Sequence, residues 1–409
     1  MESKYVLALD VGTTTARCFL LDQTTAVIGR ASHEIKHQYP QIGHDEIEPE
    51  ELWTKVVSVL REAVTVAGIK PHQIACIGIS TQRSTFITWH RETGKPFHNF
   101  ITWKDVRADG LVRQWNDSLK MKGLRMGAFC CHAISRSNRF LAGSVLKLMN
   151  SQVADQAGSL FGSCCFEKGD VKITMGTGTF LNVNTGCKPQ ASLAGLYPQI
   201  GWRLGDEIVF VMEGASHDTG SLIKWAEQIG LLSDPSDSSD MANSVQDSNG
   251  LCFIPAFSGI QAPVNNFQAA AGFIGIKPTT NRQHMVRAIL ESIVFRMLQL
   301  YEALQREVKN KYTSIRVDGG VSQNDFVVQL LADLTGLKVE RPESSEMTML
   351  GAAFLAGLHG GVWQSKDELR VLRKVDRVFE PRGHVYEEYD SIFTLWSQAL
   401  DRFLNWYDI

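Results

Sequence analysis

Three stretches set residues suited to phosphate chemistry at the ends of apolar runs. In LDVGTTTAR (residues 9–17) the acid Asp10 leaves such a run, Gly12 lets the backbone turn, and Thr13, Thr14 and Thr15 offer hydroxyls and amides. A nest of successive N–H groups suits phosphate oxygens, and a carboxylate beside it suits Mg²⁺, often through water. A plain Thr-rich hairpin explains that stretch equally well alone. MGTGTF (175–180) repeats the device in the second half of the chain, which favours phosphate held from two sides. VDGGVSQNDF (317–326) ends a run in Asp318-Gly319-Gly320 and opens a helix near Ser322 and Asn324. Glycines admit a ligand to the backbone and a helix N-terminus favours negative charge, although taken singly a packing turn explains this stretch better. The pair Asp155-Gln156, in KLMNSQVADQAGSLFG (147–162), is a candidate acid at the mouth of a site. It could accept an alcohol proton only if held within hydrogen-bond reach.

The elements that must carry these residues read as alternating strands and helices, which points to α/β layers. YVLALD (5–10) and RCFLLD (17–22) are strands across the first Gly/Thr turn, with a third strand-like segment in AVIGRASHEI. A helix over 49–68 opens with Pro49-Glu50-Glu51 and closes at Gly68. IACIGIST (74–81) is a buried strand, 82–105 a long hairpin, and 104–119 and 137–150 are helical. DVKITMGTGTFLNVNTG (170–186) is again strand, turn, strand, as a duplicated domain would leave. Helices follow at 218–230, 281–308, 322–336, 347–361 and 391–408, with strands in GLCFIPAF, SIRVD and KVERP.

A length of 409 residues implies two domains, and 44% apolar and 21% charged residues are ordinary for a globular protein. A net charge of -3 argues against nucleic acid as an obligate partner. The five-residue apolar run YVLAL is too short for a signal-peptide core, and no stretch reaches membrane-spanning length. The expected location is the cytoplasm. Eight cysteines without CxxC spacing read as reduced, mostly buried thiols rather than zinc ligands. Neither GxxxxGK[ST] nor GxGxxG occurs, so the two common nucleotide fingerprints are absent. His217-Asp218 reads as a helix-start pair. His44, Asp45, Glu46 and Glu48 read as acid before a helix N-terminus rather than a metal cluster.

Taken together, LDVGTTTAR, ISTQRSTFITW, ITWKDVR, ADQ with LFG, MGTGTFLNVNTG, PAFSG, RVDGGVSQNDF and ERP with MTMLGAAFLAGL resemble the FGGY carbohydrate kinases, in their glycerol kinase branch, over nearly the whole chain. The resemblance implies an α/β protein of two actin-like (ribonuclease H-like) ATPase domains, 1–168 and 169–409, with a ligand cleft between them. It implies ATP and Mg²⁺, with Asp10 by the metal, and Thr13, Thr14, Thr177, Gly220, Gly320 and Asn324 around the nucleotide. By similarity Arg83 and Gln156 contact a small-molecule polyol, Trp103 and Phe180 wall its carbon chain, and Asp155 is the general base. The implied reaction is phosphorylation of a polyol or sugar hydroxyl, glycerol to glycerol 3-phosphate first, with no nucleic-acid partner, no membrane segment and room for a homo-oligomer.

The pattern is also broken. Ser84 stands where the family usually has Glu, Lys224 where it has Gln, and NNFQAAAG (265–272) where it reads like DPYARG. Family members carry on the order of a hundred more residues between LKLMNSQV and the catalytic Asp. This chain joins the two near Val153-Ala154, so the first domain is incomplete. A buried strand needs about five residues, and only Val153 and Ala154 are apolar just before Asp155. The alternative reading is therefore a catalytically impaired nucleotide-binding or regulatory variant.

Overall fold

A computed structural model describes residues 4–407 apart from 42, 109, 112, 113, 116, 117, 120–122, 124–154, 191, 193, 309 and 311. The expected helix over 137–150, the residues Val153 and Ala154, and Cys130-Cys131 lie outside the described residues, as does part of the expected helix over 104–119. The chain divides into two compact units. One comprises residues 1–164, 201–207 and 347–372, and the other 165–200, 208–346 and 373–409.

The first unit is built on β1 (Tyr5–Val11), β2 (Thr15–Leu21) and β3 (Val27–Glu34), joined antiparallel in sequence. The Gly/Thr turn sets Asp10 opposite Arg17 and Val11 opposite Ala16. β4 (Glu46–Ile47) leads into α1 (Pro49–Ala67), where Glu48 accepts from the N–H groups of Glu50 and Glu51 and Gly68 closes the helix at φ 66°. This is the expected acid before a helix start. Val56, Val59 and Ala63 are the buried residues of α1, which packs on β3 and β2. β5 (Ile74–Thr81) then returns parallel to β1, giving the order β3-β2-β1-β5. The hairpin over 82–105 forms through pairing of Phe86 with Ile101 and Trp89 with Pro96, and β6 (Phe100–Ile101) pairs with β4. Ile77 and Ile79 on β5 are 54% and 55% exposed and only Gly78 and Ser80 of the strand are buried, so β5 is less buried than its apolar run led one to expect. The next described element is α2 (Asp155–Gly162), buried from Gln156 to Gly162.

The second half begins with β7 (Val171–Met175) and β8 (Thr179–Gly186), the second strand-turn-strand device. β9 (Tyr197–Leu204) and β10 (Glu207–Ser216) follow, strands that the sequence pattern did not announce. α3 (Gly220–Gln228), α4 (Ser238–Asn243), β11 (Cys252–Ile254) and β12 (Gly272–Ile274) lead to α5 (Arg282–Glu307), capped by Asn281 and buried along most of its length. β13 (Ser314–Asp318) runs parallel to β7 and to β14 (Lys338–Pro342), with α6 (Asp325–Thr335) between them in the chain.

α7 (Met347–His359) clusters with the first unit because it packs on α2, β5 and β1. The contact with α2 is backbone to backbone. A Cβ at Gly351 would lie 1.7 Å from the Gly158 carbonyl oxygen, and one at Gly162 would lie 2.1 Å from the Met347 carbonyl oxygen. α8 (Lys366–Leu372), β15 (Val375–Phe379) and α9 (Gly383–Phe403) complete the chain. α9 starts earlier than the expected residue 391; it buries Trp396, whereas Trp406 and Tyr407 lie beyond its end and are exposed. The second sheet has the order β15-β14-β13-β7-β8-β10-β9. No described helix is long and apolar enough to cross a membrane. Among the described cysteines Cys18, Cys164, Cys165 and Cys252 are buried, Cys76 is half-buried and Cys187 exposed.

Candidate active site

The first unit brings Asp155 and Arg83 together. Asp155 opens α2, and its Oδ1 lies 3.6 Å from Arg83 Nε, just past the end of β5. The same carboxylate accepts from the N–H of Gln156 at 2.7 Å, and the Asp155 carbonyl accepts from Thr348 Oγ1 of α7 at 3.3 Å. The acid is thus held from its C-terminal side, by a buried helix locked against α7. The residues before Asp155, where the sequence led one to require a supporting strand, lie outside the described residues. Ser84, beside Arg83, has a φ of 60°, in the left-handed region.

The first Gly/Thr turn lies nearby in the chain's topology, at the shared ends of β1 and β2. Asp10 is 4% exposed; Arg17 Nη2 donates to its Oδ2 at 2.8 Å, while Oδ1 is buried with no hydrogen-bond partner among the described residues. A buried carboxylate oxygen without a partner beside a phosphate-type turn fits a Mg²⁺ ion or its water. Trp103, 44% exposed, donates from Nε1 to Thr13 Oγ1 at 2.9 Å, so the expected polyol wall is tied to the expected phosphate turn. Thr14 is exposed at the tip.

In the second unit Thr177 sits exposed at the tip of the β7–β8 turn, and its carbonyl accepts from Thr219 N–H at 3.0 Å. Gly220 donates to the Gly176 carbonyl at 3.0 Å, where a Cβ would come within 2.6 Å of that oxygen. Gly319, at φ 88°, packs on the end of β7, where a Cβ would meet the Met175 carbonyl oxygen at 2.5 Å. Thr177 and Gly220 therefore meet directly, and the Gly319-Gly320 turn packs on the same end of β7, with Gly320 exposed. Asn324 caps α6, accepting from Val327 N–H at 3.0 Å and donating to Ser238 Oγ at 2.9 Å. Phe180 is half-buried on β8, in the other unit from Arg83 and Trp103. Lys224 is exposed on α3.

Asp218 precedes α3 as expected of a helix-start acid, but it faces the PAFSG loop, accepting from Ser258 N–H at 2.7 Å. Burial pushes its carboxyl above the usual range against hydrogen bonds from Ser258 and Ser221, and burial pushes the His217 imidazole down. Sequence reasoning missed the pair Lys172–Asp318, 2.8 Å apart with side chains 0% and 3% exposed, which ties β7 to β13 below the two turns. A lysine inside the apolar run VKITM was the available signal, since lysine is almost never fully buried unless paired. It also missed the partners of Asp45 and Glu46, which do not serve α1. Asp45 faces His37, and Glu46 accepts from Arg107 Nη2 at 2.7 Å.

Comparison with known proteins agrees with this architecture. Residues 5–129 match the N-terminal domain, and residues 171–359 the C-terminal domain, of the FGGY family of carbohydrate kinases. Glycerol kinase 5 of Danio rerio is 38% identical over 514 aligned positions, covering 99% of this chain and 97% of the relative. The chain has 409 residues, so a long stretch of that relative has no counterpart in it. Glycerol kinase 2 of Thermotoga maritima is 31% identical over 98% of this chain and 99% of its own. The structure of Plasmodium falciparum glycerol kinase with ADP superposes with a TM-score of 0.83 at 25% identity, over 98% of both chains. A ligand-bound xylulose kinase from Lactobacillus acidophilus, 19% identical over 98% of both chains, shares the fold with a TM-score of 0.81.

Proposed function

The chain belongs to the FGGY family of carbohydrate kinases, with its two-domain actin-like α/β fold, and from that premise we propose that it converts glycerol to glycerol 3-phosphate. The broader activity is that of the family, a phosphotransferase acting from ATP on a sugar or polyol hydroxyl. We assign Asp155 as the general base. A glycerol hydroxyl oxygen attacks the γ-phosphorus of ATP, the bond to the β–γ bridging oxygen breaks, ADP leaves, and the hydroxyl proton passes to the Asp155 carboxylate. Arg83 donates to the polyol hydroxyls and orients the carboxylate beside it; Gln156 is a neighbouring contact, and Trp103 and Phe180 pack against the carbon chain. Thr13, Thr14 and Thr177 engage the phosphates, and Gly220, Gly320 and Asn324 the rest of the nucleotide. Mg²⁺, when bound near Asp10, neutralises charge on the transferring phosphoryl group. The domains of the family would run over 1–168 and 169–409, in the cytoplasm.

The observation that carries this reading is the Asp155–Arg83 pair, because an acid and a polyol-binding donor share one place despite the missing segment. A steady-state comparison of glycerol, xylulose, erythritol and gluconate at saturating Mg-ATP tests the substrate. Glycerol should give the highest kcat/KM; a higher value for another acceptor would overturn glycerol and leave the kinase. The missing stretch favours a second reading, nucleotide binding without turnover, which Mg-ATP binding with no transfer to any acceptor would support.

A further inference from the structure

The carbonyl side of the turn that carries Thr13 and Thr14 is braced by His37 and Asp45, to which the proposed reaction gives no role. His37 Nε2 donates to the Thr13 carbonyl oxygen at 2.7 Å, and its Nδ1 faces the Asp45 carboxylate. Both side chains are nearly buried, 9% exposed each. Asp45 is itself fixed, because its N–H donates to Asp105 Oδ2 at 2.8 Å and its carbonyl accepts from Thr102 N–H at 3.0 Å. Asp105 is gripped by Arg107, whose Nε donates to Oδ1 at 2.8 Å and Nη2 to Oδ2 at 2.6 Å. That guanidinium holds the Asp105 carboxyl down to about 2. The segment 102–107 therefore reaches the turn twice, through Trp103 to the Thr13 hydroxyl and through Asp105, Asp45 and His37 to the Thr13 carbonyl.

The carbonyl matters because a trans peptide is planar, with its C=O and the following N–H pointing in opposite directions. A Thr13 carbonyl pinned on His37 turns the Thr14 N–H away from His37. Neither the Thr13 nor the Thr14 N–H has an acceptor among the described residues. We propose that His37 is a positioning residue for the nucleotide: by holding the Thr13–Thr14 peptide in this orientation, with Asp45 behind it, it presents the Thr14 amide to a phosphate oxygen. The inference rests on the reading of this turn as a phosphate site.

The test is equilibrium titration of the full chain with Mg-ATP and, separately, with glycerol. His37→Leu removes the donor, while His37→Gln keeps a side-chain amide that can reach the carbonyl. His37→Leu should weaken Mg-ATP about tenfold or more, the size expected for one hydrogen bond to a charged group, with glycerol affinity within about twofold. His37→Gln should recover most of the loss, and Asp45→Ala, which keeps the histidine but frees its ring, should fall between. Unchanged Mg-ATP affinity in His37→Leu and Asp45→Ala, or equal loss of both ligands, would overturn the positioning role and leave the kinase reading standing. If His37→Leu does not fold, Asp45→Ala against His37→Gln decides by the same split. A wild-type chain that binds no Mg-ATP would overturn the phosphate reading of the turn and this inference with it.

Discussion

Substituting Gly351 by alanine separates the two helices that seat Asp155. An added Cβ would stand 1.7 Å from the Gly158 carbonyl oxygen, 2.6 Å from its carbon and 2.8 Å from the Gly162 nitrogen. All three atoms are backbone, so no side-chain rotation relieves the clash. A carbon–oxygen contact settles at about 3.3–3.6 Å, so α2 and α7 must part by roughly 1.5 Å. Overpacking of this kind costs about 1–3 kcal/mol, against a gain of about 1 kcal/mol from replacing glycine inside a helix. The net cost is about 0–2 kcal/mol, a fall in Tm of up to roughly 8 °C. Asp155 is the first residue of the displaced helix, and a misplacement of about 1 Å can cost about 10²-fold in turnover. The assay pairs thermal unfolding with initial velocity of phosphate transfer, using Gly383→Ala as control because nothing lies within 4 Å of its Cβ. If Gly351→Ala unfolds and turns over like Gly383→Ala, the seating of Asp155 by helix contact is wrong.

Lys172→Met should destabilise the chain by about 3–5 kcal/mol, because it leaves Asp318 as a buried charge; adding Asp318→Leu should recover most of that, as read by urea unfolding. His217 has its proton affinity lowered by burial, so the unfolded chain takes up the proton first and stability falls as pH drops through the ordinary histidine range. His217→Asn should flatten that part of the stability–pH curve, and an unchanged curve would show that His217 is not responsible. Ser84→Glu supplies the acceptor that the glycerol branch usually carries beside Arg83, and should lower KM for glycerol with little change in KM for ATP; a rise in the glycerol value would place the polyol elsewhere.

The strand-turn-strand devices were legible because an apolar run broken by glycine and threonine admits few other conformations, and β1–β2 and β7–β8 form as that pattern requires. Glu48 was legible as a cap for the same local reason. β9 and β10 were not, because Pro198, Gly201 and Gly205 interrupt the alternation and Glu213 is a buried acid that reads as a surface residue. The seat of Asp155 was hidden for a different reason. Short-range pattern looks to the residues just before it, whereas the structure supports it from α7, far along the chain. His37 carried no signal at all, since its partners Thr13 and Asp45 meet only once β2, β3 and the turn before α1 are folded.

The central claim is that this shortened chain still seats a working base. Transfer of labelled γ-phosphate from Mg-ATP to glycerol, by the 409-residue chain and its Asp155→Asn form side by side, tests it most directly. The account predicts transfer that falls by about 10²–10⁴-fold in the substituted protein, with stability changed by less than about 1 kcal/mol because the pair with Arg83 is partly exposed. Equal transfer by both proteins would contradict Asp155 as the base. Folded wild-type protein that binds Mg-ATP and transfers nothing would contradict the claim that the base is seated.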